Sequence, residues 1–139
     1  MAFASRNRRH REPVIINRPG RHALRAVVAA AAAVALADGV AQPGERRSMI
    51  RFLRDNGLIG ILGRGKTIAL YQSEIDSQQS GSDVSARLHR IAGQHGALLA
   101  AAGAWSVAVS DGVMSPEENA TLARLQAALG VSPGRPVLG

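Results

Sequence analysis

The stretch that decides the fold is DGVAQPGERRSMIRFLRDNG, residues 38–57, because it aligns without a gap over DGVMSPEENATLARLQAALG, residues 111–130. Seven of the twenty aligned positions are identical, including the Asp-Gly pair, the proline, a glutamate and the last glycine. An Ala-rich apolar run precedes each stretch, at residues 26–37 and 97–109. The chain therefore carries one unit twice: an apolar helix, an Asp-Gly turn, a helix started by proline, and a glycine stop.

The composition favours an all-α fold. Aromatic residues make up only 3% of the 139 residues, so alanine, leucine, valine and isoleucine must form the core. Alanine is the best helix former and is depleted in strands. We therefore predict a compact helical domain built from an internally duplicated helix-turn-helix unit. The two apolar helices are expected to pack together at its centre, related by a pseudo-twofold axis, with amphipathic helices around them.

The net charge of +7 is concentrated at the N-terminus, since residues 1–22 hold six arginines and one glutamate. This segment has no apolar periodicity, so we predict a disordered Arg-rich tail. The tail is a candidate for contact with anionic surfaces, either nucleic acid or membrane, and the alternative is a solvated leader that binds nothing in particular. The predicted division is this tail, a helical domain over residues 23–133, and a C-terminal tail over residues 134–139.

The tail and the apolar run behind it resemble a secretory signal peptide. However, the basic region is unusually long, and the same kind of run recurs before Asp111, where no cleavage signal belongs. Each run is also shorter than the ~20 residues that a membrane-spanning helix needs. We therefore do not expect export.

Because the chain has no cysteine, disulfides, thiolate metal sites and a cysteine nucleophile are excluded.

The remaining sequence sets the expected element boundaries. Residues 58–63 are apolar but interrupted by glycine, and residues 77–82, rich in Ser, Gln and Gly, are interpreted as the linker between the halves. Gly96 is expected to break the chain before the second central helix. Helices are predicted over residues 23–37, 43–55, 67–75, a segment capped by Ser82 or Asp83, residues 97–109 and residues 116–129.

Each copy of the unit places two acids around its turn, Asp38 with Glu45 and Asp111 with Glu118. The spacing Asp-Gly-x5-Glu matches the second half of an EF-hand loop, in which these acids surround calcium. The first half is missing, so the oxygens are too few for tight binding unless waters or the other copy complete the site. A divalent cation is one prediction, with Ca²⁺, Mg²⁺ and Zn²⁺ not distinguishable.

A purely structural role competes with the cation site. Residues 115–118 read Ser-Pro-Glu-Glu, a capping box in which Ser115 is the N-cap and Glu118 reaches back to a backbone N–H. In the first copy Gln42 is a poor cap, yet Glu45 is still present. Recognition of a partner through the acids is a third interpretation. All three stay open from the residues alone.

Residues 60–67 satisfy the P-loop pattern G-x4-G-K-T, in which backbone N–H groups and the lysine hold phosphates. The required context is missing, because a P-loop follows a strand and the preceding residues have helical periodicity. Nucleotide binding through Gly65, Lys66 and Thr67 is the alternative function, and otherwise Lys66 is a surface residue in a Gly-rich connection. No nucleophile, base and acid are grouped by spacing, so the sequence does not support an enzyme.

At its two Asp-Gly turns the chain resembles the TerB-like family, the tellurite resistance protein TerB and its relatives. The family motif, an apolar helix running into A-D-G-x5-E, is matched by LADGVAQPGE at residues 36–45 and by VSDGVMSPEE at residues 109–118. The resemblance covers roughly residues 20–133. It implies a cytoplasmic bacterial protein of stress-response type, a non-enzymatic binding or scaffold module with protein partners.

The resemblance also implies which acids would bind a divalent cation. By motif match these are Asp38, Glu45, Asp111 and Glu118. The family usually has a second acid beside the glutamate, which Glu117 supplies in the second copy, whereas the first copy has Gly44 at that position.

Overall fold

The structure, a computed structural model, describes residues 20–91, 93–110 and 112–138, without the side chains of residues 91 and 93–95. Within these ranges the chain forms helices and no strand, so the predicted all-α class is confirmed. The helices are α1 (residues 20–35), α2 (Pro43–Asp55), α3 (Ile59–Leu62), α4 (Arg64–Gln79), α5 (Val84–Ile91), α6 (Gly93–Ala108) and α7 (Pro116–Leu129).

The two Ala-rich helices, α1 and α6, lie at the centre as predicted. Every residue of α1 from Ala26 to Ala32 is fully buried, so this two-turn stretch faces protein on all sides. The two helices approach closely at two glycines of α6. A Cβ added to Gly96 would lie 3.3 Å from the Cα of Ala23, and one added to Gly103 would lie 2.9 Å from Cγ1 of Val27. Because the residues at these two contacts are glycines, the helices can pack closely there.

Amphipathic helices cover this central pair. α2 packs on α6, and its buried face is the predicted one, with Met49, Ile50, Phe52 and Leu53 turned inward. α7 packs on α5 and α6. Leu122 and Leu125 supply the buried side of α7. Both α2 and α7 begin at a proline, as predicted, and both are followed by a glycine with positive φ, Gly57 after the Asn56 cap of α2 and Gly130 directly after α7.

α4 is longer than the sequence predicted. The helix was expected over residues 67–75, and residues 77–82 were interpreted as a linker, but the helix continues to Gln79. Gln78 holds the last turn in place, because its Nε2 donates to the carbonyl oxygen of Ala29 in α1 at 3.0 Å and to Oε1 of Glu74 at 3.1 Å. This long-range contact overrides the local turn signal. Lys66 is exposed as expected, but it lies in α4 rather than in a loop.

The expected break at Gly96 is also wrong, since α6 runs from Gly93 through this residue. Gly96 lies inside the helix, at a point where α1 passes so close that an added Cβ would lie only 3.3 Å from the Cα of Ala23. The first helix includes residues 20–22, which the sequence division assigned to the tail. The rest of that predicted disordered tail, residues 1–19, lies outside the described residues.

An ion pair joins α4 to α5. Two nitrogens of Arg87 donate to the two carboxylate oxygens of Glu74 at 2.8 and 2.9 Å. Burial alone would raise the pKa of Glu74, but the hydrogen bonds from Arg87 and Gln78 and the charge of Arg87 hold that pKa below its usual value. α5 itself starts where the sequence indicated, with the Asp83 carboxylate accepting from the backbone N–H of Ser85 at 3.1 Å.

The two helix-turn-helix units share backbone detail at aligned positions. Gly39 and Gly112 have φ of 96° and 86°, and Gly57 and Gly130 both have φ of 72°. The N–H of Gly39 donates to the carbonyl of Leu36 at 2.8 Å, and the N–H of Gly112 donates to the carbonyl of Val109, which aligns with Leu36, at 3.0 Å. A common origin of the units and a pseudo-twofold axis between them stay hypotheses.

Candidate functional site: the paired-turn corner

The two Asp-Gly turns meet at one place on the surface. The hydroxyl of Ser115 donates to Oδ1 of Asp38 at 2.9 Å, although the two residues are 77 positions apart in the chain. We call this place the paired-turn corner and define it as residues 38–42 and 112–115. The sequence predicted each turn separately, but nothing in it indicated that the first aspartate would contact the N-cap of the second unit.

Glu45 and Glu118 make the same local bond. Oε1 of Glu45 accepts from the backbone N–H of Gln42 at 2.6 Å, and Oε1 of Glu118 accepts from the backbone N–H of Ser115 at 2.9 Å. Both carboxylates are nearly buried, with 8% and 5% of the residue exposed. The Ser115 hydroxyl also accepts from the N–H of Glu118 at 3.1 Å, which completes the predicted capping box. The glutamate that ends the Asp-Gly-x5-Glu pattern therefore has a structural role at both helix starts.

The other acids predicted as cation ligands differ in position. Asp38 and Glu117 are exposed to solvent, Asp38 at the corner and Glu117 in the first turn of α7. Asp111 lies outside the described residues. Among the residues that the structure describes, no three His, Asp or Glu side chains are grouped closely enough to hold a metal ion.

Apolar side chains are also displayed at the corner. Val40 is 65% exposed and Val113 is 72% exposed, and these two residues occupy the same position in the aligned repeats. Burial of these side chains against a partner would be favourable, since it removes apolar surface from water. The sequence alignment contained this signal, because a valine follows each Asp-Gly pair, but repetition alone did not indicate exposure.

The P-loop-like segment has the wrong surroundings for phosphate binding. Residues 59–62 form the one-turn helix α3, and no strand precedes the glycines in the described part of the chain. Thr67 is fully buried, and its hydroxyl donates to the carbonyl of Gly63 at 2.7 Å. The threonine that would hold a metal in a P-loop is thus used inside α4.

None of the helices in the described ranges combines the length and the apolar character required to cross a bilayer. No curated protein and no solved structure matches the chain. A family model does match it over residues 24–136, well over half of its length, and the family is described as Tellurite resistance protein TerB. The duplicated Asp-Gly motif, the all-helical fold and this match agree: the chain belongs to the TerB family.

Proposed function

We propose that this protein is a non-enzymatic binding module of the tellurite-resistance type, and that the paired-turn corner is the surface with which it recognises a protein partner. The observation that carries the proposal is the hydrogen bond from Ser115 to Asp38, because it holds two exposed turns of the repeat against each other. Such a bond orients both turns as one surface, and a rigid surface loses less entropy on binding than two independent loops would.

The chemistry of the corner supports a protein partner. Val40 and Val113 offer apolar area, and Asp38 adds a carboxylate at the rim. Interfaces commonly combine an apolar centre with a polar rim. The expected partner surface therefore has an apolar patch bordered by lysine or arginine.

A divalent cation at the corner is part of the proposal. The acids proposed to hold it are Asp38, Glu45, Asp111, Glu117 and Glu118, of which Glu45 and Glu118 also accept, through Oε1, from the backbone N–H groups of their own helix starts. A bound ion would also tie the second turn to the first and so stabilise the fold by linkage.

Thermal unfolding tests the cation. We expect Ca²⁺, Mg²⁺, Mn²⁺ or Zn²⁺ to raise the Tm of the wild type, and the Asp38→Asn, Asp111→Asn double variant to lose this increase. Asp76→Asn is the matched control, since Asp76 is an exposed acid on α4 and is not one of the predicted ligands. If the wild type shows no cation-dependent Tm, the acids act through hydrogen bonds alone and the cation part of the proposal is wrong.

Tellurite tolerance tests the recognition surface. The chain would be expressed in a bacterial strain whose tolerance depends on its own TerB protein and in which that protein has been deleted. We expect the wild type to restore growth on tellurite, and Val40→Ser with Val113→Ser to lose it. The control is Val137→Ser, which changes a valine that is 79% exposed outside the corner. Growth restored equally by the double variant would refute the corner as the recognition surface. No growth with the folded wild type would refute the tellurite-type role.

A further inference from the structure

Exposed cations surround α3 at one end of the molecule. Arg21 lies in the first turn of α1, and Arg64 and Lys66 lie in the first turn of α4. A Cβ added to Gly20 would lie 2.9 Å from Cδ1 of Ile61 in α3, the helix that directly precedes α4. The starts of α1 and α4 therefore lie at the same end of the molecule, on either side of α3.

We call residues 20–21 and 54–66 the basic end. The one acid in these two ranges is Asp55, whose Oδ1 lies 3.7 Å from Nε of Arg54. The other three cations of the basic end form no ion pair with any described residue. The basic end therefore carries positive charge that no carboxylate of the described fold neutralises.

Helix stability does not explain these cations. The N-terminus of a helix is its positive end, so acids are favourable in the first turn and cations are unfavourable there. α2 and α7 follow this rule, since their first turns contain Glu45 and Glu118. The first turns of α1 and α4 contain cations and no acid. The dipoles of two long helices thus add to the charge of the exposed side chains, and an anionic partner would be attracted to this end.

The apolar helix α3 lies between the cations. None of its residues is buried: Gly60 is exposed, and Ile59, Ile61 and Leu62 are half-buried. Cations beside apolar side chains fit the surface of an anionic bilayer, which offers head-group phosphates and, just below them, acyl chains. A nucleic acid duplex would use the cations alone, and residues 54–66 contain no aromatic side chain on which single-stranded bases could stack.

We propose that the basic end docks on a membrane leaflet that contains anionic phospholipids. Head-group phosphates bind Arg21, Arg64 and Lys66, and α3 rests against the boundary of the acyl chains. The paired-turn corner lies at the opposite ends of α1 and α2, because the first Asp-Gly turn joins the end of α1 to the start of α2. A membrane at the basic end therefore leaves the corner open to a protein partner.

Co-sedimentation of the full chain with vesicles tests the charges. We expect the wild type to bind vesicles of phosphatidylglycerol and phosphatidylcholine in equal parts, and not vesicles of phosphatidylcholine alone. The triple variant Arg21→Gln, Arg64→Gln, Lys66→Gln should bind the anionic vesicles roughly tenfold to a hundredfold more weakly, because each cation close to an anionic leaflet contributes about fivefold. Its Tm should not fall, since cations at helix N-termini are unfavourable.

A second triple variant is the matched control. Arg90→Gln, Arg124→Gln, Arg135→Gln removes the same charge from exposed positions outside the basic end, and it retains residues 1–19 with their five arginines. We expect it to bind anionic vesicles nearly as the wild type does, because charges far from the contact are screened by salt. Equal loss in the two triple variants, no binding of the wild type to anionic vesicles, or equal binding to neutral vesicles would overturn the proposal.

Gly60→Leu tests the apolar contact. A Cβ at Gly60 meets nothing within 4 Å, so the leucine is free to enter the bilayer and should strengthen binding to anionic vesicles roughly threefold or more. Ala123→Leu, at an exposed position on α7, is the control and should leave the affinity unchanged. Duplex DNA should bind more weakly than the vesicles at equal salt. An unchanged vesicle affinity in Gly60→Leu, or tighter binding of the DNA, would refute the membrane as the partner of this surface.

Discussion

Ser115 donates its hydroxyl proton to Asp38 and accepts the N–H of Glu118 on the same oxygen. The N-cap of one helix is thus also the contact that joins the two repeated turns. A helix start and a long-range contact depend on a single side chain, so changes at either turn are expected to affect the other.

A double-mutant cycle on Asp38→Ala and Ser115→Ala tests this dependence. Ser115→Ala should cost about 1 kcal/mol or more of unfolding free energy, because it removes a cap as well as the long-range bond. The coupling free energy between the two changes is expected to be about 0.5–1 kcal/mol. Asp38→Asn should be better tolerated than Asp38→Ala, since an amide oxygen still accepts. Additive effects in urea unfolding would mean that the contact contributes nothing.

The two buried glutamates should have similar effects on stability. We expect Glu45→Ala and Glu118→Ala each to lower the free energy of unfolding by about 1 kcal/mol, because each leaves the backbone N–H of an N-cap without its acceptor. Glu117→Ala is the control, as Glu117 is exposed in the same turn of α7. Equal destabilisation in Glu117→Ala and Glu118→Ala would contradict a capping role.

Close packing of the central helices can be tested at Gly103. Alanine there would bring a Cβ within 2.9 Å of Val27 and 3.2 Å of Phe52, so we expect Gly103→Ala to destabilise the fold by about 1–3 kcal/mol. Gly65→Ala is the matched control, because its Cβ would meet nothing within 4 Å and alanine favours the helix. Thermal unfolding should show opposite signs for the two variants, and a stabilising Gly103→Ala would disprove the tight crossing.

The ion pair between Glu74 and Arg87 predicts a dependence on acid. The folded-state pKa of Glu74 lies below its value of 4.5 in a free chain, so the unfolded state binds more protons as the pH falls. The contribution of ionised Glu74 to the free energy of unfolding is therefore fully present above pH 4.5 and is lost as the pH drops through its lower folded-state pKa. We expect Glu74→Gln to cost about 1–3 kcal/mol at neutral pH, with a smaller cost at acidic pH.

Urea unfolding across this pH range provides the measurement. Asp76→Asn, an exposed carboxylate on the same helix, is the control and should retain the acid-dependent loss of stability. An identical pH dependence of the wild type and Glu74→Gln would rule out the ion pair as its source.

The sequence predicted those parts of the fold that depend on local patterns. Pro43 and Pro116 marked two helix starts correctly, and Gly57 and Gly130 marked the corresponding ends. The two Ala-rich runs indicated the central helices, because a helix that is apolar around its whole circumference must be buried on all sides. These features are set by neighbours within one or two turns of the chain.

Two of the wrong predictions, at Gly96 and at Gln78, share one physical cause, since the role of each residue is set by a distant contact. Gly96 resembled a helix breaker, and only the proximity of Ala23 explains it. Gln78 lay in a stretch with turn composition, yet its bond to Ala29 keeps it helical. At the candidate site, the position of Glu45 was predicted, but the contact of Asp38 with Ser115 was not, because a hydrogen bond across 77 residues leaves no local pattern.

The burial of α1 on all sides has a consequence for biosynthesis. This helix leaves the ribosome before α6, against which it packs, has been translated. During that interval the nascent chain exposes an apolar segment whose native packing partner is missing. Chaperones bind such surfaces, and they also drive aggregation. Slow translation between the two helices should therefore lower the yield of soluble protein, even though the finished sequence and its stability are unchanged.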